Sequence, residues 1–169
     1  MTHPLLLGLF DRADDAARAA TAAHALGLGR DRLSVVARDH GEEGRLARRF
    51  DATPGADIED SPLAARLGEL SARVLAAIAL VLPGIGPIVA AGPLAAGLGE
   101  AAGHAAGDLG RMLGRAGVPR DRAEALEQAV EQGAVLLGIH ARRDDEVDSL
   151  RVLLERHGGR SIVVARWPP

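Results

Sequence analysis

Leu6-Leu7-Gly8-Leu9-Phe10-Asp11-Arg12-Ala13-Asp14-Asp15 has a counterpart near the other end of the chain, Leu136-Leu137-Gly138-Ile139-His140-Ala141-Arg142-Arg143-Asp144-Asp145. Each stretch is an apolar run closed by an acidic pair. Downstream of the first lies Val35-Val36-Ala37-Arg38, and downstream of the second lies Val163-Val164-Ala165-Arg166. The intervening segments read as helices. Ala16, Ala19, Ala20, Ala23 and Leu26 recur at three- and four-residue spacing, as do Val147, Leu150, Leu153 and Leu154. Asp14-Asp15 and Asp144-Asp145 put negative charge at the helix starts, where the macrodipole favours it. Gly27 or Gly29 supplies one stop and Gly158-Gly159 the other.

Each unit is therefore strand, helix, strand: 5–10, 13–27 and 32–38, then 134–141, 144–157 and 160–166. Two such units predict an α+β fold with the ferredoxin-like split βαβ arrangement, a four-stranded sheet with two helices on one face. Leu5-Leu6-Leu7, Val135-Leu136-Leu137 and Ile162-Val163-Val164 are apolar at consecutive positions. Successive strand side chains point to opposite faces, so both faces of this sheet need cover. The repeat helices cover one. The other calls for a second copy of the chain or for the segment inserted between the halves.

The expected organisation is a first half at 1–38, a polar linker at 39–61, an insertion at 62–117, a connecting helix at 118–133 and a second half at 134–169. The linker contains a short helical stretch, Arg45 to Phe50, whose arginines suit either a solvated turn or an anionic surface. Within the insertion, Val74 to Gly99 is free of charge and is interrupted by Pro83-Gly84-Ile85-Gly86-Pro87. Prolines and glycines at that density predict a hairpin rather than one straight helix. We expect two helical arms, the first from Ser61-Pro62 to about Leu82 and the second from Pro87 or Pro93 to Gly117. Gly99, Gly103 and Gly107 align every four residues on the second arm, a glycine-zipper-like stripe suited to close helix approach. Pro119 forbids continuation beyond it.

The uncharged arms are short for a membrane crossing. Val74 to Leu82 extends roughly 14 Å and Ile88 to Gly99 roughly 18 Å at helical rise, against the ~30 Å of a bilayer core. A re-entrant or peripheral contact competes with burial of Leu75, Ile78, Leu82, Ile85, Ile88 and Val89 on the open sheet face or on another subunit. The turn (Pro83, Gly84, Gly86, Pro87) and the stripe (Gly99, Gly103, Gly107) are the expected interaction residues, and the expected partner is another copy of the chain.

Composition narrows the chemistry. The 169-residue chain has a net charge of -3, two phenylalanines, one tryptophan and no tyrosine. That leaves neither the basic footprint nor the stacking rings that nucleic-acid binding requires. Absence of cysteine excludes disulfides and thiolate ligands. Every basic residue counted in the charge is arginine, a bias that fits a GC-rich genome. The start, Met1-Thr2-His3-Pro4-Leu5-Leu6-Leu7, lacks the basic region and long apolar run of a signal peptide, so a cytoplasmic location, with or without membrane association, is expected.

Three constellations merit attention. Glu100, His104 and Asp108 share a helix face and are metal-ligand types. On one straight helix, however, they spread over ~12 Å and do not converge on one ion. His140 ends a strand and is a candidate for contacting a small ligand on the sheet, or for capping the sheet edge. Gly97-x-Gly99-x-x-Ala102 follows no strand and lacks phosphate-cradling geometry. His24 and His157 read as helix-terminal residues. No nucleophile elbow is present, so no catalytic residue and no cofactor is assigned.

Leu82-Pro83-Gly84-Ile85-Gly86-Pro87, Ala90-Ala91-Gly92-Pro93-Leu94-Ala95-Ala96, Gly117-Val118-Pro119 and Gly133-Ala134-Val135-Leu136-Leu137 resemble a family of small bacterial general-stress proteins, heat- or low-temperature-induced. In that family two βαβ halves flank an Ala/Gly hairpin, and the likeness covers nearly the whole chain. It implies a stress association without an enzymatic reaction and assigns no catalytic residues. The expectation is thus a non-enzymatic, self-associating stress protein that uses its apolar hairpin for subunit packing or membrane contact. The alternative is a small-molecule-binding regulatory module at His140, with a metal- or haem-linked enzyme behind it.

Overall fold

Runs of apolar residues at both ends of the chain form strands of one sheet. The computed structural model describes residues 2–38, 78–82, 86–91, 93–94 and 109–167. In chain order the elements are β1 (His3–Phe10), α1 (Ala13–Ala25), β2 (Leu33–Arg38), β3 (Ile78–Leu82), β4 (Gly86–Ala91), α2 (Leu109–Arg115), α3 (Arg120–Glu131), β5 (Val135–His140), α4 (Val147–Arg156) and β6 (Arg160–Trp167). They build an α+β structure.

Strands β2, β5, β1 and β6 lie side by side in that order. β5 runs antiparallel between β1 and β2, and β1 runs antiparallel between β5 and β6. Each βαβ unit therefore holds a strand of the other unit between its own two strands. This arrangement is compatible with the ferredoxin-like split βαβ expected from the sequence.

The face covered by α1 and α4 buries Leu6, Phe10, Leu33, Val35, Leu137 and Ile139 against Ala16, Ala19, Ala20, Ala23, Leu150, Leu153 and Leu154. α1 contributes mostly alanines, which lets it lie close to the sheet. The opposite face is covered within the chain, by α2 and α3. Leu5, Leu7, Leu9, Val36, Leu136 and Val163 pack there against Leu109, Met112, Leu113, Leu126 and Val130. The two helices are tied where the Gly110 backbone N–H donates to Glu127 Oε2 at 3.2 Å.

The insertion departs from expectation. Residues 78–82 and 86–91 are strands, not helical arms: β3 and β4 form an antiparallel hairpin with Leu82 opposite Gly86 and Ile78 opposite Ala90. β4 then pairs with β2, Val35 opposite Ala91 through Arg38 opposite Ile88, and extends the sheet to six strands. The free edge of β2 explains the change. Its backbone donors and acceptors need partners, and the β-branched Ile78, Val81, Ile88 and Val89 suit a pleated surface. The chain reverses between Leu82 and Gly86, as expected, with strands in place of helical arms on either side. Two of the residues expected at the turn, Gly86 and Pro87, belong to β4. Pro83 and Gly84, and the glycine stripe at Gly99, Gly103 and Gly107, lie outside the described residues, as does the linker at 39–61.

Boundaries elsewhere follow the local chemistry. The chain leaves α1 through Gly27 and α4 through Gly158, both at positive φ, so of the expected stops these are the ones used. α4 begins at Val147, after a 3-10 turn over Asp144–Glu146 that Arg142 holds by donating its backbone N–H to Glu146 Oε2 at 2.8 Å.

Candidate functional site

Period-two alternation places His3, Leu5, Leu7 and Leu9 of β1 on the α2/α3 face. The same rule places Leu136, Gly138 and His140 of β5 there, with Ser34 and Val36 of β2 and Val163, Ala165 and Trp167 of β6. Leu5 lies opposite both His140 and Ala165, Gly138 opposite Ser34, and His3 opposite Trp167. Four polar or aromatic side chains from four strands therefore meet at one end of this face.

His140 is the centre, only 2% exposed. Its Nδ1 lies 3.0 Å from His3 Nε2 and its Nε2 lies 3.2 Å from Ser34 Oγ. Ser34 is fully buried and accepts a hydrogen bond from the backbone N–H of Leu94 at 3.1 Å. The Trp167 ring stands edge-on to His140 with centroids 5.1 Å apart. The Arg32 guanidinium donates from behind to the carbonyls of His140 and Ala141, each at 3.4 Å. Gly138 makes room for the cover: a Cβ there would stand 3.0 Å from Leu94 Cδ1 and 3.3 Å from Ser34 Cβ.

The electrostatics favour neutral rings. Burial, then the neighbouring His3, then the Arg32 cation lower His140 to about 4. His3 is lowered as well, by burial first and then by Arg32 and the chain's amino terminus.

The hydrogen-bond polarity follows from counting protons. Ser34 Oγ accepts from Leu94, and among the described residues the acceptor within reach of its own proton is His140 Nε2. His140 then carries its proton on Nδ1 and donates to His3 Nε2. The chain Leu94 N–H to Ser34 O–H to His140 to His3 is satisfied at every link while both imidazoles are neutral.

A hydroxyl on an imidazole that contacts a second imidazole is also the geometry of an activated serine. Here Ser34 is fully buried and its oxygen already accepts from Leu94. An acyl substrate has no approach to it. The same burial bears on the expectation of a ligand at His140, whose ring nitrogens are both occupied by protein groups.

The other candidate residues fall elsewhere. Glu100, His104 and Asp108 lie outside the described residues, and among the described residues no group of three or more His, Cys, Asp or Glu could hold a metal ion. His24 is helix-terminal as expected, with Nδ1 3.0 Å from the Leu28 carbonyl. Phe10 and His140 fall at the same position when the two repeated stretches are aligned, yet Phe10 faces α1 and α4 whereas His140 faces the other side. Sequence reasoning passed over His3, Ser34 and Trp167. Once β1 is known to lie beside β5, the shared parity of His3 and Leu5 brings His3 to His140, a deduction that needs strand order as well as motif.

No family model, curated protein or solved structure matches this chain. Among the described residues, no helix is long and apolar enough to cross a membrane.

Proposed function

We propose that the protein is a non-enzymatic, self-associating module of the bacterial stress response, and that the strand hairpin of its insertion is the element through which copies meet. One observation carries this reading. β3, Ile78-Ala79-Leu80-Val81-Leu82, is uncharged and stands outermost in the sheet, hydrogen-bonded among the described residues to β4 alone. Natural edge strands are commonly protected by charge, proline or a bulge, and this one carries none of these. A second copy offering the same edge would continue the sheet across a two-fold axis. The stress association rests on the likeness carried by Leu82 to Pro87 and Ala90 to Ala96.

Pro87 indicates which backbone groups are free. It has no N–H to give β3, so the Val81 and Pro87 pair is one whose backbone groups point away from each other. The Val81 N–H and carbonyl then point to the open edge. Val81→Pro removes that donor while leaving the β3–β4 bonds in place. Light scattering on wild type is expected to give a discrete multiple of 17.5 kDa, and Val81→Pro is expected to shift it toward the single-chain mass. A wild type that stays a single chain at every accessible concentration would sink the proposal. Flotation with lipid vesicles separates the membrane alternative, since co-migration of the single chain with lipid favours contact with a bilayer over pairing of edges.

The regulatory-module alternative requires a small molecule to reach His140. The burial of His140 and Ser34 weighs against it.

A further inference from the structure

We propose that the His3–His140–Ser34–Leu94 chain is a pH-sensitive latch, which ties the segment following the β4 strand to the sheet when both imidazoles are neutral and lets it go when His3 takes up a proton. The inference stands on the direction of the hydrogen bonds and is independent of whether copies associate.

With Leu94 donating into Ser34, Ser34 into His140 Nε2, and His140 Nδ1–H into His3, the unprotonated ring nitrogen at the outer end of the chain is His3 Nε2. A proton arriving from solvent binds there, because His3 is the partly exposed member of the chain. Two N–H groups would then face each other across 3.0 Å. One escape is for His3 to turn outward, which leaves the buried His140 Nδ1–H without an acceptor. The other is for the His140 proton to pass from Nδ1 to Nε2, so that its Nδ1 accepts from His3. Ser34 must then accept from both His140 and Leu94, and its own buried proton loses its acceptor. Either way one link of a buried chain is lost, and in the second escape the Leu94 N–H must also share the Ser34 oxygen with His140, which weakens its bond.

The charges around the pair set the direction of the response. Arg32 approaches from the turn before β2 and disfavours a second cation, as does the amino terminus. On β6, Arg166 lies one residue from Trp167 and is paired with Asp144, and Trp167 itself is uncharged. Ser34 and Leu94 carry no charge. Among the described residues no carboxylate is bonded to either ring to stabilise an imidazolium, so the latch stays closed at neutral pH and opens only on acidification.

Leu94 is well placed for such control. It follows β4 by three residues, is fully buried, and sits over Gly138. Freeing it loosens the exit of the hairpin from the sheet.

The test is nitrogen-15 NMR of the histidine rings together with amide exchange at Leu94, from about pH 7.5 to about pH 5. At the upper end His140 should carry its proton on Nδ1 and His3 Nε2 should be bare. After correction for intrinsic exchange, protection at Leu94 should fall about fivefold or more on acidification, the equivalent of one buried hydrogen bond. In His3→Gln, which cannot take up a proton, that fall should vanish while the fold is retained. A His140 proton on Nε2 at neutral pH would overturn the proposal. An equal loss of Leu94 protection in wild type and His3→Gln would overturn it too. Because these readouts are local, they are unaffected if the protein proves to be a single chain.

Discussion

Gly138 and Ser34 show how much depends on single side chains at this end of the sheet. Gly138 leaves a gap that Leu94 fills, and even a methyl group there would press on Leu94, Ser34 and Leu5 at once. Gly138→Ala is expected to cost about 1–3 kcal/mol through overpacking, measured by urea unfolding. A neutral result would mean that Leu94 can lift away freely. Ser34→Ala acts differently. It adds no bulk and strands the Leu94 N–H and His140 Nε2, both buried. The expected loss is about 1–3 kcal/mol for leaving such groups unsatisfied. Replacing Ser34 with Thr restores the hydroxyl, and recovery of stability beyond that of Ser34→Ala would separate the lost bond from lost packing.

At the level of elements, the two helix layers are equal partners in the core. Leu154 of α4 and Leu113 of α2 are both fully buried, on opposite faces of the sheet. Leu113→Ala and Leu154→Ala should therefore each cost about 2–5 kcal/mol, read from denaturant midpoints at constant slope. If Leu113→Ala left the midpoint unmoved, the α2/α3 pair would be an appendage rather than a wall of the core. The sequence spoke clearly about the repeat and the order of its elements, because apolar runs, acidic helix starts and glycine stops mark their own positions. It was silent about register. Matching Leu6 to Leu136 and Phe10 to His140 puts each pair on opposite faces, since Leu6 and Phe10 face α1 and α4 while Leu136 and His140 face α2 and α3. A one-residue slip is all that separates the two alignments. Strands apolar on both faces give no alternation by which to detect it. The β-hairpin was missed for a related reason: alanine, leucine and valine in Ile78 to Leu82 serve either structure, and only the unpaired edge of β2, a feature of the assembled sheet, decides between them. His3 joins the site by the same kind of long-range fact.

Taken whole, the described core holds its sheet between two hydrophobic layers, with the His140 imidazole sealed in one of them. Sealing His140 makes the folded state sensitive to acid. Its pKa is lowered in the fold to about 4 from the ordinary histidine value of 6.5, so between those values the unfolded chain binds the proton and the folded chain does not. Stability therefore rises with pH across that window. This contribution is fully present above about 6.5, falls as the pH drops toward about 4, and is spent below that. The full shift corresponds to roughly 3 kcal/mol at 1.36 kcal/mol per pH unit. Carboxylates also titrate at the acid end, so the informative quantity is a difference between proteins. Urea unfolding of wild type and His140→Gln at about pH 5 and about pH 7.5 supplies it. Gln is uncharged at both values and keeps a donor and an acceptor for Ser34 and His3. The variant should be less stable than wild type at the upper pH, and the gap should narrow or reverse at the lower one, where wild type alone bears the cost of excluding a proton. Parallel pH profiles in the two proteins would mean that the imidazole is reached by water in solution, and that the closed layer over this end of the sheet does not hold.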